Sequence, residues 1–198
     1  MSAQRASVLA IIASLACASC SSTRVVTQWQ APSVERLTFT KILALALAPE
    51  ESLRRTAEAD LCNQVTSVTC KPAYLVIPDS EMGDVDRMKA LVQRAGFDGA
   101  LVFRVVSADE KVTYVPPTYG PTFWGYYGYA RPMAASPGYY RTDKVVRVET
   151  SIYSLREDRL LWVATTETMN PSSVNSLVED VAKAVRRELE RAKLIPER

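Results

Sequence analysis

The period of the apolar residues changes along this chain, and each change marks an element. Lys41-Ile42-Leu43-Ala44-Leu45-Ala46-Leu47-Ala48 is apolar on both faces, as in a central strand covered on two sides. A short buried helix would carry the same pattern, so periodicity alone leaves the two types open here. Pro49-Glu50-Glu51 opens a helix, with Pro near its first turn and acids at the positive end of the dipole. Leu53, Ala57, Leu61 and Val65 keep helical spacing. Ala73-Tyr74-Leu75-Val76-Ile77 reads as the next strand, stopped by Pro78. A second helix starts near Asp79 to Asp84, with Val85, Met88, Leu91, Val92 and Ala95 as its stripe and Gly96 as its terminating residue. Ala100 to Val106 is a further strand, which Lys111 to Val115 continues or pairs with.

Downstream the period becomes two. Val146, Val148, Thr150 and Ile152 alternate with Arg147, Glu149, Ser151 and Tyr153, giving a half-buried strand with one wetter face. Arg156-Glu157-Asp158 turns the chain, and Leu160 to Thr165 runs back as a hairpin. Asn170 and Pro171 are expected as N-cap and first residue of the last helix. Val174, Leu177, Val181, Val185, Leu189 and Ala192 lie on one face of it. Arg24 to Trp29 supplies an edge strand that Pro32 interrupts. The sum is an α+β domain: one mixed, largely antiparallel sheet packed by three helices, with a long aromatic loop.

The N-terminus obeys a different logic. Arg5 is followed by an apolar run from Val8 to Ala18, too short for the ~20 residues of a membrane span. Small residues and two cysteines follow, so residues 1–19 read as a secretory signal peptide of the lipoprotein type. Ala18-Ser19-Cys20 is the better of two imperfect lipoboxes, since Cys17 stands where Leu is usual. Ala16-Cys17-Ala18 offers the competing general cut, which releases Ser19. Cysteine arithmetic favours lipidation of Cys20, because it leaves Cys62 and Cys70 as a disulfide pair in an oxidising compartment. Residues 20–36 are then a lipidated tether and edge strand, and residues 37–195 a single domain. Ser21 in place of Asp resembles the bacterial sorting pattern of lipoproteins that leave the inner membrane, which implies the periplasmic face of the outer membrane. The alternative is a soluble periplasmic protein.

Residues 114–140 interrupt the regular pattern. They hold seven of the nine tyrosines, with Phe123, Trp124 and scattered Pro and Gly. Such a segment buries too little aliphatic surface to fold alone and reads as a long connection between strands. Tyr119, Phe123, Trp124, Tyr126, Tyr127 and Tyr129 are the candidate partner-binding residues, because Tyr and Trp give amphipathic contact area at low entropic cost. The contact is with a protein, a glycan or the membrane interface. A mobile hairpin tip is the bland alternative.

Chemistry for catalysis is thin. There is no histidine, hence no imidazole base and no Ser-His-Asp or Cys-His arrangement. Two cysteines do not complete a tetrahedral zinc site. Asp79-Ser80-Glu81-Met82-Gly83-Asp84-Val85-Asp86 is the densest acidic run, but it departs from EF-hand spacing and suits a helix start. Carboxylate hydrolysis by Glu81 with Asp84 or Asp86 is the weakest reading. Lys and Arg number 24 against 22 Asp and Glu, interleaved along the chain, which argues against a nucleic-acid binder. No enzyme activity, cofactor or metal is expected.

Lys41 to Leu47, Gly96-Phe97-Asp98, the Tyr/Gly/Pro-rich loop, Leu160-Leu161-Trp162 and the terminal amphipathic helix together resemble a family of bacterial envelope lipoproteins whose domain has no assigned function. The resemblance implies an assembly factor or regulator of envelope machines and brings no catalytic residues; with the lipid anchor and the aromatic segment, the expected partners are the membrane and an envelope protein or glycan.

Overall fold

The computed structural model describes residues 22–81, 83–115 and 139–197. Along them run β1 (Ser22–Gln30), β2 (Lys41–Leu47), α1 (Glu51–Gln64), β3 (Thr69–Pro72), α2 (Val85–Arg94), β4 (Gly99–Val115), β5 (Tyr139–Ser154), β6 (Arg159–Met169) and α3 (Val174–Arg191). The strands form one six-stranded sheet in the order β1-β6-β5-β4-β2-β3. β2 is parallel to β3 and β4, and the remaining pairs are antiparallel. This is the expected α+β domain with a mixed sheet.

The doubly apolar run is β2, and both of its faces are covered. Ala44 and Ala46 pack with Ala57 and Leu61 of α1 and Val178, Val181 and Val185 of α3 in the main core. Leu43 and Leu45 point the other way, into a smaller core with Val92 of α2 and Phe97. α1 and α3 therefore cover one face, and α2 caps one corner of the other. Gly99 opens β4 beneath the Phe39 ring, where an added Cβ would lie 2.6 Å from a ring carbon. Asp84 caps α2 by accepting from the Arg87 N–H at 3.0 Å, and Gly96, at φ +73°, ends it as expected. The Glu179–Lys183 pair on α3 closes at 2.6 Å.

Three expectations need correction. The strand expected at Ala73–Ile77 lies four residues earlier, at Thr69–Pro72, and Ala73–Leu75 is a 3-10 turn. Parallel pairing of Thr69 with Lys41 sets that register, and the Tyr74 N–H then goes to the Glu58 carboxylate instead of a strand. The buried stripe of α1 is turned one position from the apolar one: Arg54, Ala57, Glu58 and Leu61 are buried, while Leu53 faces solvent. Asn170 is not the cap of α3. Its N–H, Oδ1 and Nδ2 all bond to Asp143 and Lys144 of β5, extending the ladder. Ser173 caps the helix instead, in a reciprocal box with Ser176. Of the two readings left open for Lys111–Val115, continuation of β4 is the one observed.

Cys62, near the end of α1, is bonded to Cys70 in β3, eight positions on. Closing a loop this short restricts the unfolded chain by about 2–3 kcal/mol. Reduction is expected to lower the thermal midpoint by about 5–10 °C, given ~2–4 °C per kcal/mol for a domain of this size. Scanning calorimetry with and without a reductant checks it. An unchanged midpoint would mean that the bond adds nothing to stability.

Candidate functional site

β4 and β5 outrun the rest of the sheet. β2 leaves β4 at Arg104, and β6 joins β5 only from Val145. Glu110–Val115 and Tyr139–Lys144 therefore form a two-stranded ribbon standing off the sheet, in register from Glu110↔Lys144 to Val115↔Tyr139. At ~3.3 Å per residue the ribbon projects about 20 Å. Its base is tied by Asp143, which accepts from Arg141 Nε at 2.9 Å and Asn170 Nδ2 at 2.8 Å. The Arg141 hydrogen bond, then that of Asn170, holds the Asp143 carboxyl below its usual range. At the far end Tyr114 and Tyr140 sit side by side, ring centroids 5.3 Å apart, with Tyr114 50%, Tyr139 62% and Tyr140 74% exposed. Cys20, Tyr119, Phe123, Trp124, Tyr126, Tyr127 and Tyr129 lie outside the described residues; the ribbon holds both ends of the segment that carries the aromatic six.

The ribbon leaves from the end of the sheet where β1 begins. Ser22 pairs with Met169, Met169 with Val145, and Val145 with Asp109 at the ribbon's foot. Cys20 is two residues before Ser22 in the sequence, a reach of about 7 Å. No described helix is long and apolar enough to cross a membrane.

The sheet face opposite α1 and α3 carries a row of alternating charge across four strands. Arg24 meets Glu167 at 3.0 Å, Glu167 meets Arg147 at 2.9 Å, and Arg147 meets Asp109 at 3.3 Å. Arg104 and Glu149 add a pair at 3.0 Å. Hydrogen bonds from Arg24 and then Arg147 hold the Glu167 carboxyl low. These cross-strand pairs fix register and keep this face wet.

On the other face, α1, α3 and the sheet line a half-open apolar pocket of about 140 Å³, walled by Phe39, Ile42, Leu61, Leu101, Ile152 and Val181 among others. Gln64, Ser67 and Arg186, which keep solvent exposure, mark its mouth. Thr150, 2% exposed, also lines it, and its Oγ1 has no hydrogen-bond partner.

The densest polar chemistry of the described residues is structural, and sequence reasoning missed it. Glu58, 0% exposed, accepts from the N–H of Ala46 at 3.3 Å and of Tyr74 at 2.9 Å. Arg54, also buried, lies 3.7 Å from Glu58 and reaches Asp79 at 2.6 Å, and Arg55 meets the same Asp79 at 2.9 Å. Hydrogen bonding from Arg55 keeps the Asp79 carboxyl low, against some desolvation, with Arg54 adding to it. The acidic run is thus engaged by arginines: Asp79 as above, and Glu81 and Asp84 by Arg87 at 3.2 Å each. The signal for Glu58 was available in the sequence, since Arg54 and Glu58 stand at i and i+4 within the stripe that Ala57 and Leu61 define.

No protein-family model matches the chain, and no curated protein matches it. Among solved structures it is similar to the PelC dodecamer from Paraburkholderia phytofirmans, at 12% identity over 83% of this chain and 95% of that one, with a TM-score of 0.45. It is also similar to lipoprotein GNA1162 from Neisseria meningitidis, at 15% identity over 77% of this chain and 99% of that one, with a TM-score of 0.39.

Proposed function

We propose that this chain is a non-catalytic lipoprotein of the cell envelope, anchored through acylated Cys20, that presents its aromatic ribbon to a partner at the membrane face. One observation supports this above the others: the ribbon and the start of β1 leave the same end of the sheet. With a lead of about 7 Å against a ribbon of about 20 Å, an anchored molecule has its aromatic tip at the membrane side. Tyrosine and tryptophan suit that position, where one end of the ring is wet and the other apolar. The absence of histidine from the sequence and the engagement of its acidic run by arginines favour binding over turnover.

Deleting residues 118–138 is expected to leave folding intact, because the Tyr114↔Tyr140 ladder below the cut is retained. In-cell photo-crosslinking from Tyr140 should then lose its adducts while the membrane fraction keeps the protein. Adducts that persist after the deletion would remove the loop from the proposal. Recovery of wild-type protein in the soluble fraction, with an unacylated mass starting at Ser19, would remove the anchor.

A further inference from the structure

The foot of the ribbon is level with Ser22 across the sheet, through Met169, Val145 and Asp109. β1 is antiparallel to β6, β6 to β5 and β5 to β4, so β1 traced backwards and β4 traced forwards leave that row in the same direction. The two residues back to Cys20 reach about 7 Å, whereas the ribbon projects about 20 Å. With Cys20 held at a bilayer surface, an upright ribbon overruns its anchor by about 13 Å. The charges along the ribbon match that overrun. Glu110, Lys111, Asp143 and Lys144 stand at its foot. Beyond them Val112, Thr113, Tyr114 and Val115 pair with Thr142, Arg141, Tyr140 and Tyr139, four positions or about 13 Å of strand. Arg141 is the one charged residue of these eight, and its guanidinium turns back toward the foot, 2.8 Å from Asp143. Long cations at a membrane edge turn in the same way. Val112, Tyr114, Tyr139 and Tyr140 are all exposed. In the sequence between Val115 and Tyr139, Arg131 is the one charged residue.

We propose that the tip of the ribbon, Val112–Val115 with Tyr139 and Tyr140, rests in the headgroup layer of the bilayer itself. This rests on the anchored reading above and names lipid as the ribbon's own contact. The backbone bounds the depth. No described strand pairs with either outer edge of the ribbon, so both edges carry N–H and C=O groups that hydrocarbon cannot satisfy. The tip therefore stops in the interfacial layer, about 5–10 Å down as for other interfacial elements, and tilt of the ribbon absorbs the rest of the overrun. At that level a tyrosine ring lies against apolar carbon while its hydroxyl stays wet. Glu110, Lys111 and Lys144 remain in water at the foot.

The test uses the mature chain from Cys20, coupled through that thiol to a maleimide lipid in vesicles of phosphatidylethanolamine and phosphatidylglycerol. Cys62 and Cys70 are bonded to each other, so Cys20 is the thiol that reacts. A fluorescent coumarin amino acid replaces Thr113 at the tip or, as a control, Lys89 of α2, which meets Asp158 in the β5–β6 turn at the opposite end of the sheet. The quenchers are nitroxide lipids labelled either near the glycerol or deep in the acyl chain. The expected result is strong quenching at position 113 by the shallow nitroxide, weaker quenching there by the deep one, and none at position 89. Val112→Glu with Tyr140→Glu changes two exposed positions, so the domain folds and most of the quenching is lost. The proposal is overturned if position 113 is quenched no more than position 89, the result for a tip reserved for a protein. It is equally overturned if the deep nitroxide quenches best, or if the double variant is quenched like the wild type. The chemical tether separates the two readings: an unacylated protein from cells would fault the native anchor, whereas an unquenched tip on the tethered chain would fault the contact with lipid.

Discussion

Glu58→Ala is expected to destabilise the domain by about 3–5 kcal/mol, the range for removing one partner of a buried charge pair. The reason is what it leaves behind. Beyond Ala44, where β3 ends, the Ala46 N–H goes to Glu58 Oε1, and the Tyr74 N–H that curls the chain after β3 goes to Oε2. Alanine leaves the buried Ala46 N–H and the half-buried Tyr74 N–H without their acceptor and removes the carboxylate beside buried Arg54. A loss of this size is a large share of the ~5–15 kcal/mol by which domains are stable. Urea unfolding monitored by circular dichroism should show the midpoint falling at an unchanged slope. Glu58→Gln keeps one carbonyl oxygen and presents an amide where the other N–H needs an acceptor, so it recovers part of the loss. A Glu58→Ala midpoint within ~0.5 kcal/mol of wild type, the ordinary range for surface changes, would show that this carboxylate is dispensable.

Asp98→Asn is the second large effect, expected at about 2–3 kcal/mol near neutral pH, as for a hydrogen-bonded charged group that is lost. Asp98 is 4% exposed and sits where α2, β2, β4 and the β5–β6 turn meet. Its carboxylate accepts from the N–H groups of Thr40 at 2.8 Å and Lys41 at 2.9 Å, and from Arg156 at 2.8 Å. Its own N–H donates to the Lys41 carbonyl, and its carbonyl accepts from Leu155. Burial alone would raise this carboxyl, but the Lys41 and Thr40 hydrogen bonds and then the Arg156 charge outweigh it and hold it below its ordinary 3.8. The sign follows from that direction. A carboxyl with a depressed folded value contributes its stability above the unfolded value and loses it as pH falls through the folded one. The difference between wild type and Asp98→Asn is therefore expected to be constant near neutrality and to shrink below about pH 4. Urea midpoints measured down the acid range check this. A difference that stays constant to the lowest pH would mean that the charge of Asp98 does not carry the effect.

The parts of the fold that local pattern controls were legible. Ile42–Leu47 read as a strand covered on both faces, with a short buried helix left open, because every position there is apolar. Gly96 announced a helix end because only glycine enters the left-handed region without strain. The pairing of Cys62 with Cys70 was legible from counting, given an oxidising compartment. The misplacements share one cause, which is competition for backbone groups by distant partners. Ala73–Ile77 has the composition of a strand, yet Glu58 takes the Tyr74 N–H, and the four residues before it fit the open edge of β2. Asn170-Pro171 has the composition of a helix start, yet Asp143 and Lys144 of β5 claim the asparagine first.

The candidate site divides in the same way. The aromatic segment was visible as composition, because seven of nine tyrosines fall within residues 114–140. That it is carried on a projecting ribbon depends on where β2 and β6 stop pairing, which no local pattern encodes. The cavity was invisible for a related reason. Leu61, Leu101, Thr150 and Val181 are ordinary stripe residues of four separate elements, and only their packing leaves a space among them. The sequence by itself determined the class of the domain, its cysteine pair and the character of its loop, because these follow from periodicity, counting and composition. The tertiary structure alone decided the ribbon's direction, the buried Arg54–Glu58 pair and the lined cavity, because hydrogen-bond partners and packing gaps form between residues far apart in the chain.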